Sequence, residues 1–404
     1  MSRTTRFILA LIALVGALYG PPVYNRLSVL GVFPTSIPLS TTTAESSVRT
    51  IPGTTQCEDV HHHVRSGMLF TACQGEEQTR LDWFPPLGHF EGPERVPVDA
   101  RRGGLVVVNP KTFTATRLTL EGFEGAFVTH GIDIIDDPSN PSAIYIHAVN
   151  HAPAMPLPVS RTPKDIVASR IEVFHHVIGS NKATYVRSIR HPLIRTPNDI
   201  YSLAPGELLV TNDHAHRDGL MRFIEDVVSH PLGPKTTLVR VTFSLDSPAV
   251  DARVEMDGLH NCNGLGHGPD GQLLLVSAAG GVLHLGTTLT DPVTLHRSIP
   301  HPTTLDNPSF YASSFDHERG YLNAGLTHAA ELAKTSRNAT ALNPSIVWYL
   351  PVNSTNPKVL FHDDGRRLRT ASAAVIVDDA ATRERWMFAT GFLSAAMVAM
   401  RVEL

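Results

Sequence analysis

Arg170-Ile171-Glu172-Val173-Phe174-His175-His176-Val177 alternates in polarity, turns at Gly179-Ser180-Asn181-Lys182, and alternates again through Thr184-Tyr185-Val186-Arg187-Ser188-Ile189. A period of two, a turn rich in small and polar residues, and a second run of period two read as strand, turn, strand. The same unit recurs along the chain. Short β-type runs stand at Met68-Leu69-Phe70-Thr71-Ala72, at Gly104-Leu105-Val106-Val107-Val108 before the turn Asn109-Pro110, and at Ala143 to Val149. Others lie at Glu207 to Thr211, Leu238 to Phe243, Gln272 to Ser277, Ala373 to Val377, Arg385 to Thr390 and Ala396 to Arg401. Few helices separate them, so an alternating βαβ architecture is disfavoured and a sandwich, barrel or propeller favoured.

Length narrows the choice. The chain has 404 residues, which at about 150 residues per domain suggests two to three domains or one large β domain. Roughly 350 residues of strands exceed a small sandwich, whereas six four-stranded blades of about 60 residues each would absorb them. Hydrophobic residues make up 42% and charged residues 18%, so a real core is available and disorder is not the main state. The 29 glycines and 30 prolines fit many turns. A net charge of −4 argues against a nucleic-acid partner held by a broad basic face. Three cysteines exclude a disulfide-dense scaffold. Cys57 and Cys73 flank a hairpin and could pair in an oxidising lumen, leaving Cys262 over.

The N-terminus carries Arg3 and Arg6 and then an apolar run from Phe7 to Leu18, broken at Gly20-Pro21-Pro22. This reads as a signal peptide or short signal anchor over residues 1–22; the run is short for a membrane span. Residues 23–55, rich in Ser, Thr and Pro, read as an arm or linker, and 56–404 as the single large β domain. The expected location is the secretory pathway, secreted or anchored at a membrane surface. Sequons at Asn338 and Asn353 agree with a glycoprotein. One segment breaks the β pattern: Leu220, Phe223, Ile224, Val227 and Val228 predict an amphipathic helix that packs its apolar face on sheet edges or acts as a lid, with Asp218 as its cap.

Hard oxygen donors cluster at turns: Glu58-Asp59, Asn198-Asp199-Ile200, Asn212-Asp213-His214, Asn261-Cys262-Asn263 and Asp306-Asn307. Singly each is turn chemistry. Together they match the carboxylate, amide and carbonyl oxygens that Ca²⁺ prefers, and only a fold converging on an axis can gather donors spread from residue 58 to residue 307. His130 and His151 stand at the borders of β runs, where a pair can act as base and orienter. His61-His62-His63 alternate faces on a strand, form no single metal site and read as hairpin surface; His175-His176 read the same way. No G-x-S-x-G elbow, Walker loop, Rossmann glycine pattern or H-E-x-x-H motif is present.

The order Glu58-Asp59, His130-Gly131-Ile132, Val149-Asn150-His151, Ile189-Arg190-His191, Pro197-Asn198-Asp199-Ile200, Thr211-Asn212-Asp213-His214, Asn263-Gly264, Asp306-Asn307 and terminal Glu403-Leu404 resembles the serum paraoxonase/arylesterase family, from about residue 50 onward. The resemblance implies a six-bladed β-propeller with a hydrophobic N-terminal helix, one or two short helices at the tunnel mouth and two Ca²⁺ ions in the tunnel. It implies a catalytic Ca²⁺ held by Glu58, Asn198, Asn263, Asp306 and Asn307, and a structural Ca²⁺ held by Asp59, Asp199 and the Ile132 carbonyl. His130 and His151 match the family's histidine dyad, Asp213 a supporting carboxylate, and Asp306 is a second candidate base. The implied activity is hydrolysis of lactones and aryl esters, with phosphotriesters a further class. Departures are clear: Val402 stands where vertebrate members carry a closing cysteine, the loop from Gln74 to Arg102 is longer and Pro-rich, and Leu332 to Asn356 aligns poorly. Two alternatives remain: a propeller enzyme of another reaction class (isomerase or condensing enzyme), and a non-enzymatic calcium-stabilised binding module at a membrane.

Overall fold

In the computed structural model the described residues are 20–34, 37–39, 48–92, 102–160, 162–227 and 236–404, together with 5, 16 and 17. Six sheets follow one another around an axis. Blade 1 is built from Val60–His63, Met68–Cys73, Gly104–Asn109 and Thr114–Arg117. Blade 2 starts at Thr129–Asp136, blade 3 at Pro197–Ala204, blade 4 at Cys262–His267, blade 5 at Pro308–Ala312 and blade 6 at Ala371–Asp379. Each of these is the innermost strand of its sheet, and each packs beside its two neighbours so that the ring closes. The fold is the expected six-bladed β-propeller.

Closure comes from the N-terminal side. Val48–Ile51, inside the stretch expected to be an arm, is the outermost strand of blade 6. It pairs antiparallel with Met397–Val402, in the register Val48 to Met400 and Ile51 to Met397. Backbone hydrogen bonds between the two ends of the chain thus close the ring where Val402 leaves no cysteine to do so. Cys57 and Cys73 form a disulfide next to this seam, and Cys262 is buried and free.

The strands are apolar on both faces because both faces are covered. In Gln272–Ser277 of blade 4, Leu273 and Leu275 pack with Tyr201, Leu209 and Leu238 of blade 3, while Leu274 and Val276 pack with Tyr321, Ile346 and Trp348 of blade 5. Six such interblade layers surround the axis. Each fully buried Leu contributes roughly 2 kcal/mol, so truncating one, Leu274→Ala for example, costs about 2–5 kcal/mol. The hairpin that signalled the fold obeys this rule and corrects one expectation: Phe174 faces blade 1 and Val173 faces blade 3. Two of its polar residues on the first strand do not face water either, whereas Lys182 and Thr184 on the second are exposed. Glu172 is fully buried against Asn150, Arg170 and Ser188, and His176 is buried with its ring on the Lys182 carbonyl.

Residues 20–29 are helical; most of the expected anchor lies outside the described residues. Among the described residues no helix is long and apolar enough to cross a membrane. The amphipathic helix is present as Gly219–Val227; Val228 lies outside the described residues. Leu220, Met221 and Phe223 are exposed, so its apolar face does not pack on sheet edges as expected. The helix is held instead by its polar side, where buried Glu225 accepts the backbone N–H groups of Ala215 and His216.

Candidate active site

All six inner strands run in the same direction, so their N-terminal ends meet at one end of the tunnel. Glu58 and Asp59 precede the first inner strand, and Asp306 and Asn307 precede the fifth. His130, Asn198 and Asn263 each occupy the second position of theirs. The small residues following two of these are required by the crowding. A Cβ on Gly264 would lie 2.6 Å from Asn307 Cα, and one on Gly131 would lie 2.4 Å from Asp199 Oδ1, inside any tolerable contact. Neighbouring inner strands approach the axis this closely only because those positions carry no side chain.

A cavity of about 860 Å³ opens at this end, lined by His130, Asn198, Asp213, Asn263 and Asp306. The oxygen donors there divide into two sets. In the upper set, Glu58 Oε2, Asn198 Oδ1, Asn263 Oδ1 and Asn307 Oδ1 are buried and have no hydrogen-bond partner among the described residues. Leaving a buried polar atom unpaired costs about 1–3 kcal/mol, and four oxygens orphaned together at one spot leave a place for a cation. Asn307 is held there by its Nδ2, which donates to Glu58 Oε1 at 2.9 Å, and by its backbone N–H on the Ser372 carbonyl at 2.8 Å. Asn198 Nδ2 reaches Asp213 Oδ2 at 3.4 Å. The set is rich in amides: among the described residues no group of three or more His, Cys, Asp or Glu side chains could hold a metal.

The charges agree. Burial, then repulsion from Asp59, pushes the Glu58 carboxyl up to about 8. Burial and repulsion from Glu58 and Asp59 push Asp306 well above the usual carboxylate range. These acids lack a counter-charge, which a divalent cation at the orphaned oxygens would supply. Arg80 alone does not suffice: it is fully buried, donates to the Phe392 and Thr129 carbonyls, and burial brings it down to about 9 against the pull of Glu58.

In the lower set every carboxylate oxygen is engaged. Asp59 Oδ1 accepts the Val60 N–H at 2.7 Å, and Oδ2 accepts from His61 Nε2 at 2.8 Å and from the Ile132 N–H at 3.2 Å. Asp199 accepts the N–H groups of Ile200 at 2.8 Å and Leu265 at 2.7 Å. His61 therefore corrects an expectation: it is no hairpin-surface residue but points at the axis, with Asp133 3.5 Å from Nδ1. Burial alone would lower its pKa, but Asp59 and Asp133 outweigh that and raise it to about 9. His63 is likewise buried, bonded to Ser66 and Asp136.

The fold brings His130 and His151 together. His151 Nε2 lies 3.1 Å from His130 Nδ1, and His151 Nδ1 lies 2.9 Å from Ser169 Oγ. Burial, against the opposing pull of Asp213, brings His130 down to about 4, and burial with neighbouring His130 holds His151 well below its ordinary value. Both rings are therefore neutral at pH 7. Asp213 is the reverse case. Burial would raise it, but His214, 2.9 Å away, keeps its carboxyl ionised far below the usual range.

Residues 105–278 match the Arylesterase family model. Over that part of its length this chain is similar to the serum paraoxonases and arylesterases. It is 29% identical over 123 residues to serum paraoxonase/arylesterase 2 of Gallus gallus, covering 30% of each chain. It is 27% identical over 139 residues to serum paraoxonase/lactonase 3 of Homo sapiens, covering 34% of this chain and 32% of that one. The chain thus spans about a third of the length of these relatives. Among solved structures, a luciferin-regenerating enzyme overlays 88% of the chain at a TM-score of 0.46 and 12% identity, too distant to bear on function. The family match takes in His130, His151, Asn198, Asp213 and Asn263; the fold brings Glu58, Asp306 and Asn307 to them from outside it.

Sequence reasoning missed three residues of the site, all from the long Gln74 to Arg102 loop. Helix Glu77–Asp82 supplies Arg80, whose guanidinium lies 4.3 Å over the Phe84 ring. Phe84 packs edge-on against His130 and His151, with ring centroids 5.2 and 6.2 Å apart, and Trp83 Nε1 donates to the His151 carbonyl at 2.7 Å. Two adjacent aromatics in an otherwise turn-rich insertion were the signal available.

Proposed function

We propose that this chain is a calcium-dependent hydrolase of the paraoxonase/arylesterase type, acting on aryl esters and lactones, with phosphotriesters as a further class. The observation that carries the reading is the group of four orphaned, all-oxygen donors on Glu58, Asn198, Asn263 and Asn307 beside Asp306. Amide and carboxylate oxygens are Ca²⁺ ligands rather than those of a soft metal. A Ca²⁺ bound there would polarise a carbonyl oxygen and favour the negative charge that develops on it.

The chain's own residues do the rest. His130 is neutral at pH 7 and faces the same cavity as Asn198, Asn263 and Asp306, so it can accept a proton from an attacking water. His151 orients that ring through the 3.1 Å contact and is itself oriented by Ser169. Asp213, ionised and buried at the cavity wall, favours the proton on His130 once it has been taken up. Phe84, Leu27 and Leu326 give this wall an apolar part, beside charged residues such as Arg217 and Arg222, and the apolar part suits a neutral ester or lactone ring.

The disulfide supports passage through an oxidising compartment. The exposed Leu220, Met221 and Phe223, with Tyr24 and Val32, support contact of this end with a lipid surface. The reading is tested by hydrolysis of an aryl ester, an aliphatic lactone and a phosphotriester with Ca²⁺ and with chelator, for the wild type, Asn263→Ala and Asp306→Ala. Turnover is expected only in the wild type with Ca²⁺. Full lactone turnover by Asp306→Ala, or in chelator, refutes the reading.

A further inference from the structure

The family resemblance places a second, structural ion among Asp59, Asp199 and the Ile132 carbonyl. The residues present do not fit it. In the upper set four oxygens lack partners; in the lower set none does. Asp59 Oδ2 already accepts from the His61 ring at 2.8 Å and from the Ile132 N–H at 3.2 Å. Both expected carboxylate ligands are thus engaged, Asp59 by the His61 ring and by the N–H groups of Val60 and Ile132, and Asp199 by the N–H groups of Ile200 and Leu265.

His61 is placed for this by the strand it sits on. It lies on the innermost strand, two residues after Asp59, which immediately precedes that strand, and it lines a second cavity of about 1120 Å³ at the far ends of the inner strands. Asp133 and His267 line that cavity too; Asp133 accepts from His267 at 2.8 Å and from the Ser202 N–H, so the carboxylate steadying His61 is itself steadied. The ring stands between the lower carboxylates and the second mouth and occupies the route by which solvent or an ion would reach Asp59 from that side.

We infer that this chain takes one divalent cation, at the upper set, and that the His61 side chain stands in the lower cradle in place of a second. The inference rests on the calcium reading of the upper set, and the experiment separates the two. Full-length protein is equilibrated with Ca²⁺ at pH 7.5, freed of excess by gel filtration, and assayed for bound calcium by elemental analysis. One ion per chain is expected, lost in Asn263→Ala and kept in Asp199→Asn. His61→Asp, which exchanges a ring donor for carboxylate oxygens, is expected to bind two.

Two ions in the wild type overturn the inference and leave the calcium reading standing. No ion overturns both. A single ion lost in Asp199→Asn but kept in Asn263→Ala puts it in the lower cradle and also overturns the inference. A folded His61→Asp that still binds one ion overturns His61 as the cause of the exclusion. If that variant does not fold, the wild type, Asn263→Ala and Asp199→Asn still decide.

Discussion

Remove the cation and the protein should become less stable as the pH rises, and Glu58 should be the main reason. Its carboxyl is 1% exposed, and burial with the neighbouring Asp59 raises it from 4.5 to about 8. Between those two values the native carboxyl keeps a proton that the unfolded chain has released. The native state then binds more protons, so the unfolding free energy falls with pH. The contribution is complete below about pH 4.5, declines through the window and is gone above about pH 8. At about 1.4 kcal/mol per pH unit the loss between pH 5 and 8 is roughly 4 kcal/mol. For about 350 folded residues, with an unfolding entropy near 2.1 cal/mol/K each, that lowers Tm by roughly 6 °C. Asp199 and Asp306 are raised as well and act with the same sign.

Glu58→Gln isolates the effect, because the amide keeps the shape and cannot ionise. Melting curves in chelator from pH 5 to pH 8 should show wild type and variant alike at pH 5 and the variant more stable at pH 8. Millimolar Ca²⁺ should reverse the order at pH 8, since only the wild type then gains from the ion. Parallel curves for the two proteins in chelator would refute the assignment of the buried charge to Glu58. A wild type indifferent to Ca²⁺ at pH 8 would refute the cation site.

His130→Gln should lower kcat at least about 100-fold while leaving Tm and the calcium stoichiometry unchanged; undiminished turnover would remove His130 from the chemistry. The double variant Cys57→Ser with Cys73→Ser opens a loop with a separation of 16 residues and should cost about 3 kcal/mol. It should also weaken calcium binding, because Cys57 is the residue before Glu58; urea unfolding and a calcium titration would show whether either change is missing.

Much of this was legible in the chain. Alternating runs broken by Gly, Pro and Asn turns identify strands because side-chain direction in a strand repeats every two residues, and strands recurring without helices between them leave few architectures. Asn263-Gly264 and His130-Gly131 could be read as donor plus glycine, and the crowding at the axis explains the pairing. The hydrophobic spacing of Leu220 and Phe223 identified a helix but not which side it buries, since amphipathicity says what is apolar and not what lies opposite. The helix turned out to dock through Glu225.

What the sequence determined by itself is local: strand identity, turn chemistry, and which residues carry oxygen or imidazole. What only the tertiary structure decided is which of them meet. Glu58 and Asn307 are 249 residues apart and share a hydrogen bond; Val48–Ile51 lies in an unremarkable Ser/Thr-rich stretch and closes the ring against Met397–Val402. His61 reads as one of three consecutive histidines, yet its ring alone reaches Asp59. The reason is physical. Strand period and turn propensity act over a few residues, whereas the assignment of an oxygen to a cation or to a neighbouring N–H depends on what ring closure brings within about 3 Å of it.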